Sequence, residues 1–355
     1  MSFWSSPKSL AVAALLLLST LAVAPLARAF TAADAADAFA AYQKAFYFTS
    51  NDAGYYRKTT AGGKTFFWDR AEQLEMLLDV YERAPNSQCL ALFSNVFNGF
   101  IADHGRDWRT NDFNDDIMWM VIACARAHQL TGNSLFRDLA KANFDLCYAR
   151  AWSTNMGGGL WWKTSNTSKN ACVNGPGSIA ASLLYQIYGD ASYLDKARAM
   201  FDWERATLFD PATGRICDNT NLNGRLSRRA FTYNEGTFIG AANFLGFTNE
   251  ARLAADYTMN HLCANGILPA YGQNGDAGGF NGICARWLAK FMTQRGLQSS
   301  YLKWLQANAD AAWKDRRSSD NLSWCRWNEP TPDIPLYSWA CSSAIVVLHV
   351  VPPSQ

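Results

Sequence analysis

Asp115 and Asp116 stand side by side where a polar stretch, Asn111-Asp112-Phe113-Asn114, gives way to an apolar helical run beginning Ile117-Met118-Trp119-Met120. Two neighbouring carboxyls repel each other and hold water tightly, so burying both is costly. A helix start lowers that cost, because its free N–H groups and its dipole favour negative charge. The pair therefore reads in two ways. It is an N-cap followed by a first-turn acid, or it supplies the two carboxyl groups that cleavage of a glycosidic bond requires. Mutual repulsion drives the two pKa values apart, which suits an acid and a nucleophile. Spacing alone leaves open which residue takes which part.

Other residues qualify for the same chemistry. Tyr233, Asn234 and Glu235 follow one another at a second helix start, where the amide and carboxyl either bond sugar hydroxyls or cap the helix. Asp218 is a loop acid that either reaches the same cavity or stays solvated. Trp161 and Trp162 follow three glycines and offer a stacking platform for a sugar face, or a core anchor. Trp68, Trp339, Phe280, Asn114 and Asn174 sit in comparable loops; Asn174 and Pro176 also suit a helix cap.

The elements that would bring these residues together are helical and repeat. Gly132, Gly189 and Gly246 recur every 57 residues, each after an apolar helical stretch, and Ala140, Ala197 and Ala254 follow eight residues later. The glycines suit a left-handed helix stop, and the alanines suit close helix–helix contact. Helices are expected near 31–47, 69–83, 87–102, 114–130, 134–150, 176–188, 192–207, 234–246, 249–263, 280–294, 298–315 and 337–349, with almost no strand-like alternation. Six such hairpins close into a ring or stack as an open solenoid. In a ring, the polar loops at 65–69, 111–116, 174–177, 232–236, 278–282 and 336–339 meet at one end, around a cavity holding carboxylates, amides and aromatics.

Composition narrows the field. Residues 1–29 resemble a secretory leader, with Lys8, an apolar run over 10–23 and Ala27-Arg28-Ala29 as a cleavage site. That leaves residues 30–355 as one domain, exported to the periplasm, cell surface or medium. Without Lys8 and Arg28 the 32 basic residues fall to 30, equal to the acids, so no polyanion or nucleic-acid partner is indicated. No membrane span is expected, and the apolar run 344–351 is too short for a lipid-anchor signal. The nine cysteines are scattered with no C-x-x-C pair, so a zinc site is not expected. Some disulfides are compatible with export, while Cys124 and Cys284 read as core. The four histidines lack metal spacing, and no G-x-S-x-G elbow is present. Neither a metal nor a cofactor is expected. Asn166 and Asn321 head glycosylation sequons.

Several stretches resemble glycoside hydrolase family 76. They are Asn114-Asp115-Asp116 with Ile117-Met118-Trp119, Arg126 through Asn133, Gly158-Gly159-Leu160-Trp161-Trp162, Lys169-Asn170-Ala171 through Pro176, Thr207-Leu208-Phe209-Asp210 with Gly214, and Thr232 through Gly240. The resemblance runs over roughly residues 35–348. It implies an all-α (α/α)6 barrel and retaining endo-α-1,6-mannanase activity on α-mannan, with Asp115 as nucleophile and Asp116 as general acid/base. The chain departs from the family where Phe113-Asn114 replaces a common Tyr-Tyr, and where Glu235 stands in place of a frequent Gln. A freely secreted, monomeric hydrolase is the expectation. A wall-remodelling transglycosidase of the same fold and a non-catalytic glycan-binding protein are the alternatives.

Overall fold

Each repeated glycine ends a helix in the left-handed region: Gly132 at φ 70°, Gly189 at 67° and Gly246 at 85°. A glycine adopts this geometry without the Cβ clash that penalises other residues. The three alanines that follow are fully buried. In the computed structural model, which describes Met1, Ser2, Trp4 and residues 29–354, these units belong to a series of twelve α-helices. The apolar run over 10–23, expected as part of a secretory leader, lies outside the described residues.

The helices are α1 (Ala32–Phe46), α2 (Phe67–Arg83), α3 (Ser87–His104), α4 (Asn114–Thr131), α5 (Ser134–Ala151), α6 (Ala171–Tyr188), α7 (Ala191–Thr207), α8 (Thr232–Leu245), α9 (Thr248–Tyr257), α10 (Phe280–Gln294), α11 (Gln298–Lys314) and α12 (Ser338–Val350). Six of them form an inner ring. α2 packs on α4, α4 on α6, α6 on α8, α8 on α10, α10 on α12, and α12 returns to α2. That last contact makes the molecule a closed (α/α)6 barrel and not an open solenoid. The remaining six helices pack outside the ring. Inner helices are buried on nearly every side, and apart from α2 they are largely apolar; α6 is buried from Ala171 to Leu184. Close approach in the ring needs small residues. A Cβ added to Gly236 on α8 would stand 2.6 Å from the Cα of Cys284 on α10.

The axis of the ring holds a buried charge cluster. Arg126 of α4 donates to Glu75 and Asp79 of α2 at 2.6 and 2.7 Å. Arg286 of α10 donates to Asp79 and Glu72 at 2.6 and 2.7 Å. Both carboxylate oxygens of Asp79 are thus claimed by arginines from opposite sides. Charges this deep persist only when paired and hydrogen-bonded, and these tie three inner helices together.

Two features depart from the sequence expectation. Strands are present: β1 (Tyr47–Ser50), β2 (Ala53–Thr59) and β3 (Gly62–Lys64) form an antiparallel meander, and β4 (Ser168–Asn170), β5 (Asn219–Asn221) and β6 (Leu226–Ser227) form a second antiparallel sheet whose first two strands are joined through α6 and α7. The β1–β2 turn places Asn51 and Asp52 at φ 47° and 60°, the backbone of a type I′ hairpin. Helix α6 also begins at Ala171, five residues before the expected start, so Pro176 lies inside it. All nine cysteines are unpaired; eight are buried, including Cys124 and Cys284, and Cys263 is half-buried. Among the described residues no helix is long and apolar enough to cross a membrane.

Candidate active site

The loops that lead into the inner helices converge on a cavity of about 620 Å³. Five of the six contribute directly to its wall. Trp68 comes from the start of α2, Asp115 and Asp116 from α4, Cys172 from α6, Tyr233 from α8, and Asp276 and Phe280 from the approach to α10. The sixth loop acts from behind. Trp339 of α12 packs edge-on against Trp68 with ring centroids 4.5 Å apart. The wall is therefore part aromatic and part acidic, a pairing that suits the flat apolar faces and hydroxyl rims of sugars.

The two aspartates occupy the first turn of α4 and differ in their partners. Asp115 Oδ2 accepts the indole N–H of Trp162 at 2.9 Å and the thiol of Cys172 at 3.3 Å. Asp116 Oδ2 accepts the side-chain amide of Asn111 at 2.9 Å. Burial raises the pKa of Asp115 to about 6, with the Trp162 and Cys172 hydrogen bonds holding it down. Burial raises Asp116 further, to about 8, and the charge of Asp115 adds to the rise, with lesser pushes from Asp69 and Asp276. Desolvation outweighs the helix dipole at both residues. Near neutral pH this favours an ionised Asp115 beside a protonated Asp116. The two titrate as one coupled system.

Trp68, Trp162, Asp218, Tyr233 and Phe280 line the same cavity as the pair. Tyr233 and Phe280 stack with centroids 3.8 Å apart. Asp218 accepts from Asn219 at 2.7 Å and from Asn234 at 3.2 Å.

Five other residues expected at the sugar site lie behind that wall. Asn114 is buried; it donates to the Trp161 carbonyl and accepts from Arg150, so it pins the loop carrying Asp115 and Asp116 from below. Trp161 faces the core, under the Lys169 ammonium 4.6 Å from its ring. Asn174 accepts the Leu160 N–H and donates to the carbonyls of Leu160 and Asn170, clamping a loop to α6. Asn234 reaches the cavity only through Asp218. Glu235 is fully buried and accepts the Ile216 N–H at 2.9 Å, turned away from the cavity toward Glu204. For Asn114, Asn174 and Glu235, the backbone polar groups of a buried loop needed a partner, and the nearest side-chain amide or carboxyl supplied it.

Sequence reasoning missed Cys172, Asn111 and Asp276 as members of the site. Cys172 carries no polar signature in a run of small residues. Asn111 looks like any loop amide, and Asp276 follows a glycine in a stretch without helical periodicity.

Residues 31–345 match the model of glycosyl hydrolase family 76. The chain belongs to that family. This family 76 glycoside hydrolase is similar to a solved α-1,6-mannanase of Salegentibacter sp. HEL1_6, at 30% identity and a TM-score of 0.83, over 90% of this chain and 98% of that one. A variant of the same mannanase, described as inactive and carrying asparagine for two consecutive aspartates, was solved with α-1,6-mannotriose. It matches at 29% identity and a TM-score of 0.83, over 90% of this chain and 98% of that one. The mannan endo-1,6-α-mannosidase DCW1 of Eremothecium gossypii is 23% identical over 287 residues, 70% of this chain and 62% of the relative. Across the fungal relatives the matched stretches take in between 34% and 67% of their own lengths.

Proposed function

We propose that this glycoside hydrolase cleaves internal α-1,6-mannosidic bonds of α-mannan with retention of configuration. Asp115 attacks the anomeric carbon while Asp116 gives its proton to the departing oxygen. Asp116 then takes a proton from the water that releases the covalent mannosyl-enzyme. The observation that carries this reading is the division of protonation between adjacent carboxyls on one cavity, about 6 for Asp115 and about 8 for Asp116. A retaining mechanism needs that division, since one carboxyl must start as the anion and the other as the acid. The inactive double-aspartate variant of the Salegentibacter mannanase, bound to α-1,6-mannotriose, supports both the residue pair and the linkage.

Trp68, Trp162, Tyr233 and Phe280 supply sugar-stacking surface in this account, and Asp218 accepts a sugar hydroxyl. The basic, then apolar N-terminal segment supports export, which places the enzyme with extracellular or periplasmic glycans. The test is cleavage of linear α-1,6-mannan by the parent protein and by Asp115→Ala and Asp116→Ala. Each substitution removes turnover while leaving the unfolding transition in place. Near-normal turnover by either variant refutes the assignment. Longer oligosaccharides formed with excess acceptor, at the expense of hydrolysis, would make the enzyme a transglycosidase instead.

A further inference from the structure

The two oxygens of Asp115 meet different surroundings. Oδ1 is sealed from solvent and takes no hydrogen bond from a side chain. Oδ2 carries both donors, the Trp162 indole at 2.9 Å and the Cys172 thiol at 3.3 Å, and both of those residues line the cavity. Rotating the carboxyl out of its plane would break both bonds at once, and a half-turn only exchanges two equivalent oxygens. On the reading of Asp115 as nucleophile, we propose that Oδ2 is the attacking atom and that Cys172 is a positioning residue which, with Trp162, aims that oxygen and tempers its reactivity.

The consequence differs between the two halves of the reaction. In the first half, a bond forms from Oδ2 to the anomeric carbon, the glycosidic C–O bond breaks, and the Asp116 proton goes to the departing oxygen. Oδ2 gives up negative charge, so its two donors bind it less well in the transition state than before it. In the second half, a water oxygen bonds the anomeric carbon and its proton goes to Asp116. The C–Oδ2 electron pair returns to Oδ2, and the same two donors now strengthen as charge reappears. Donors on the attacking oxygen therefore restrain formation of the mannosyl-enzyme and speed its breakdown. Cys172 suits this task because it is buried, with its thiol pushed well above the ordinary range. It stays a neutral donor and does not compete as a thiolate.

The experiment compares the full-length protein with Cys172→Ala, Cys172→Ser, Trp162→Phe and Asp115→Ala on an activated aryl α-1,6-mannobioside, by steady-state and stopped-flow release of the aryl group. Cys172→Ala is expected to lower kcat about fivefold, the worth of one ordinary hydrogen bond. KM falls further than kcat, so kcat/KM on its pH plateau rises with the restraint on formation gone, and the mannosyl-enzyme accumulates to give a burst of aryl release. The acidic limb of kcat/KM moves to higher pH, since a bond that lowers the Asp115 pKa is gone. Cys172→Ser, which keeps a donor, restores the parent profile, and Trp162→Phe repeats the burst. An unmoved acidic limb with no burst in both Cys172→Ala and Trp162→Phe, while Asp115→Ala is inactive, overturns this inference and leaves the nucleophile assignment standing. Turnover by Asp115→Ala overturns both.

Discussion

Asn111 lends its side-chain amide to Asp116 Oδ2 at 2.9 Å, five residues along the chain, and so favours the ionised form of the carboxyl proposed as the acid. Burial and the charge of Asp115 overcome that bond and set the upper titration of the pair near 8; the lower lies near 6. Activity is expected to peak between these values. It falls on the acid side as Asp115 gains a proton and on the alkaline side as Asp116 loses one. Asn111→Ala removes a bond to the charged form, so the alkaline limb of kcat/KM moves up by as much as about one pH unit, while the acidic limb stays. A pH–rate profile of the two proteins checks this. A downward move of the alkaline limb would contradict it.

Asn234 is a prop for Asp218, and Asp218 lines the cavity. Asp218→Ala is expected to raise KM for α-1,6-mannotetraose about tenfold, the cost of one hydrogen bond to a charged acceptor, with a smaller effect on kcat. Asn234→Ala should raise KM less, because Asn219 still holds Asp218 at 2.7 Å. Initial rates over a substrate range separate the two parameters. A larger effect from Asn234 than from Asp218 would reverse the assigned order of contact.

Arg286 is fully buried and pairs with Asp79 and Glu72 across the barrel axis. Arg286→Met leaves buried Glu72 without its cation and Asp79 with Arg126 alone, and is expected to cost about 3–5 kcal/mol of stability. Chemical denaturation measures it. A loss under about 1 kcal/mol would mean that water already reaches the cluster.

Glu204 and Glu235 are both fully buried, and burial holds each carboxyl well above its ordinary range. Neither oxygen of Glu204 has a hydrogen-bond partner, and Glu235 Oε2 has none either. The folded state therefore binds protons that the unfolded chain releases once the pH passes the ordinary Glu value. The stability these groups contribute is present below that value and lost as pH rises toward their folded pKa values. Glu235→Gln and Glu204→Gln should lose less stability than the parent between pH 5 and pH 9, pH values that span about four units above the ordinary Glu range. Thermal unfolding at the two pH values tests this; equal losses in parent and variants would show that the pair is charged when folded.

Much of the barrel was legible because its signals are local. The 57-residue spacing of Gly132, Gly189 and Gly246 marks real left-handed helix ends, and apolar periodicity marks the helices between them. The start of α6 was misplaced because Pro176 mimics a first-turn proline, whereas Asn174 stitches the earlier turn to Leu160, a contact invisible along the chain. The β1–β2 hairpin hid because Asn51-Asp52 is a weaker turn signal than Asn-Gly. At the site, chemistry-bearing residues near a helix start were read together, yet half of them serve the scaffold. Whether Trp161 or Trp162 faces the cavity depends on which way one loop turns, and Lys169 decides that from within the core. Cys172 matters only because Asp115 is 57 positions away in sequence and 3.3 Å away in space.

The most direct test follows digestion of α-1,6-mannotetraose by proton NMR from the first minutes. The newly freed reducing end is expected to appear first as the α-anomer and then to mutarotate, with Asp115→Ala and Asp116→Ala both silent. First appearance of the β-anomer, or release of no reducing end by the parent protein, would contradict it.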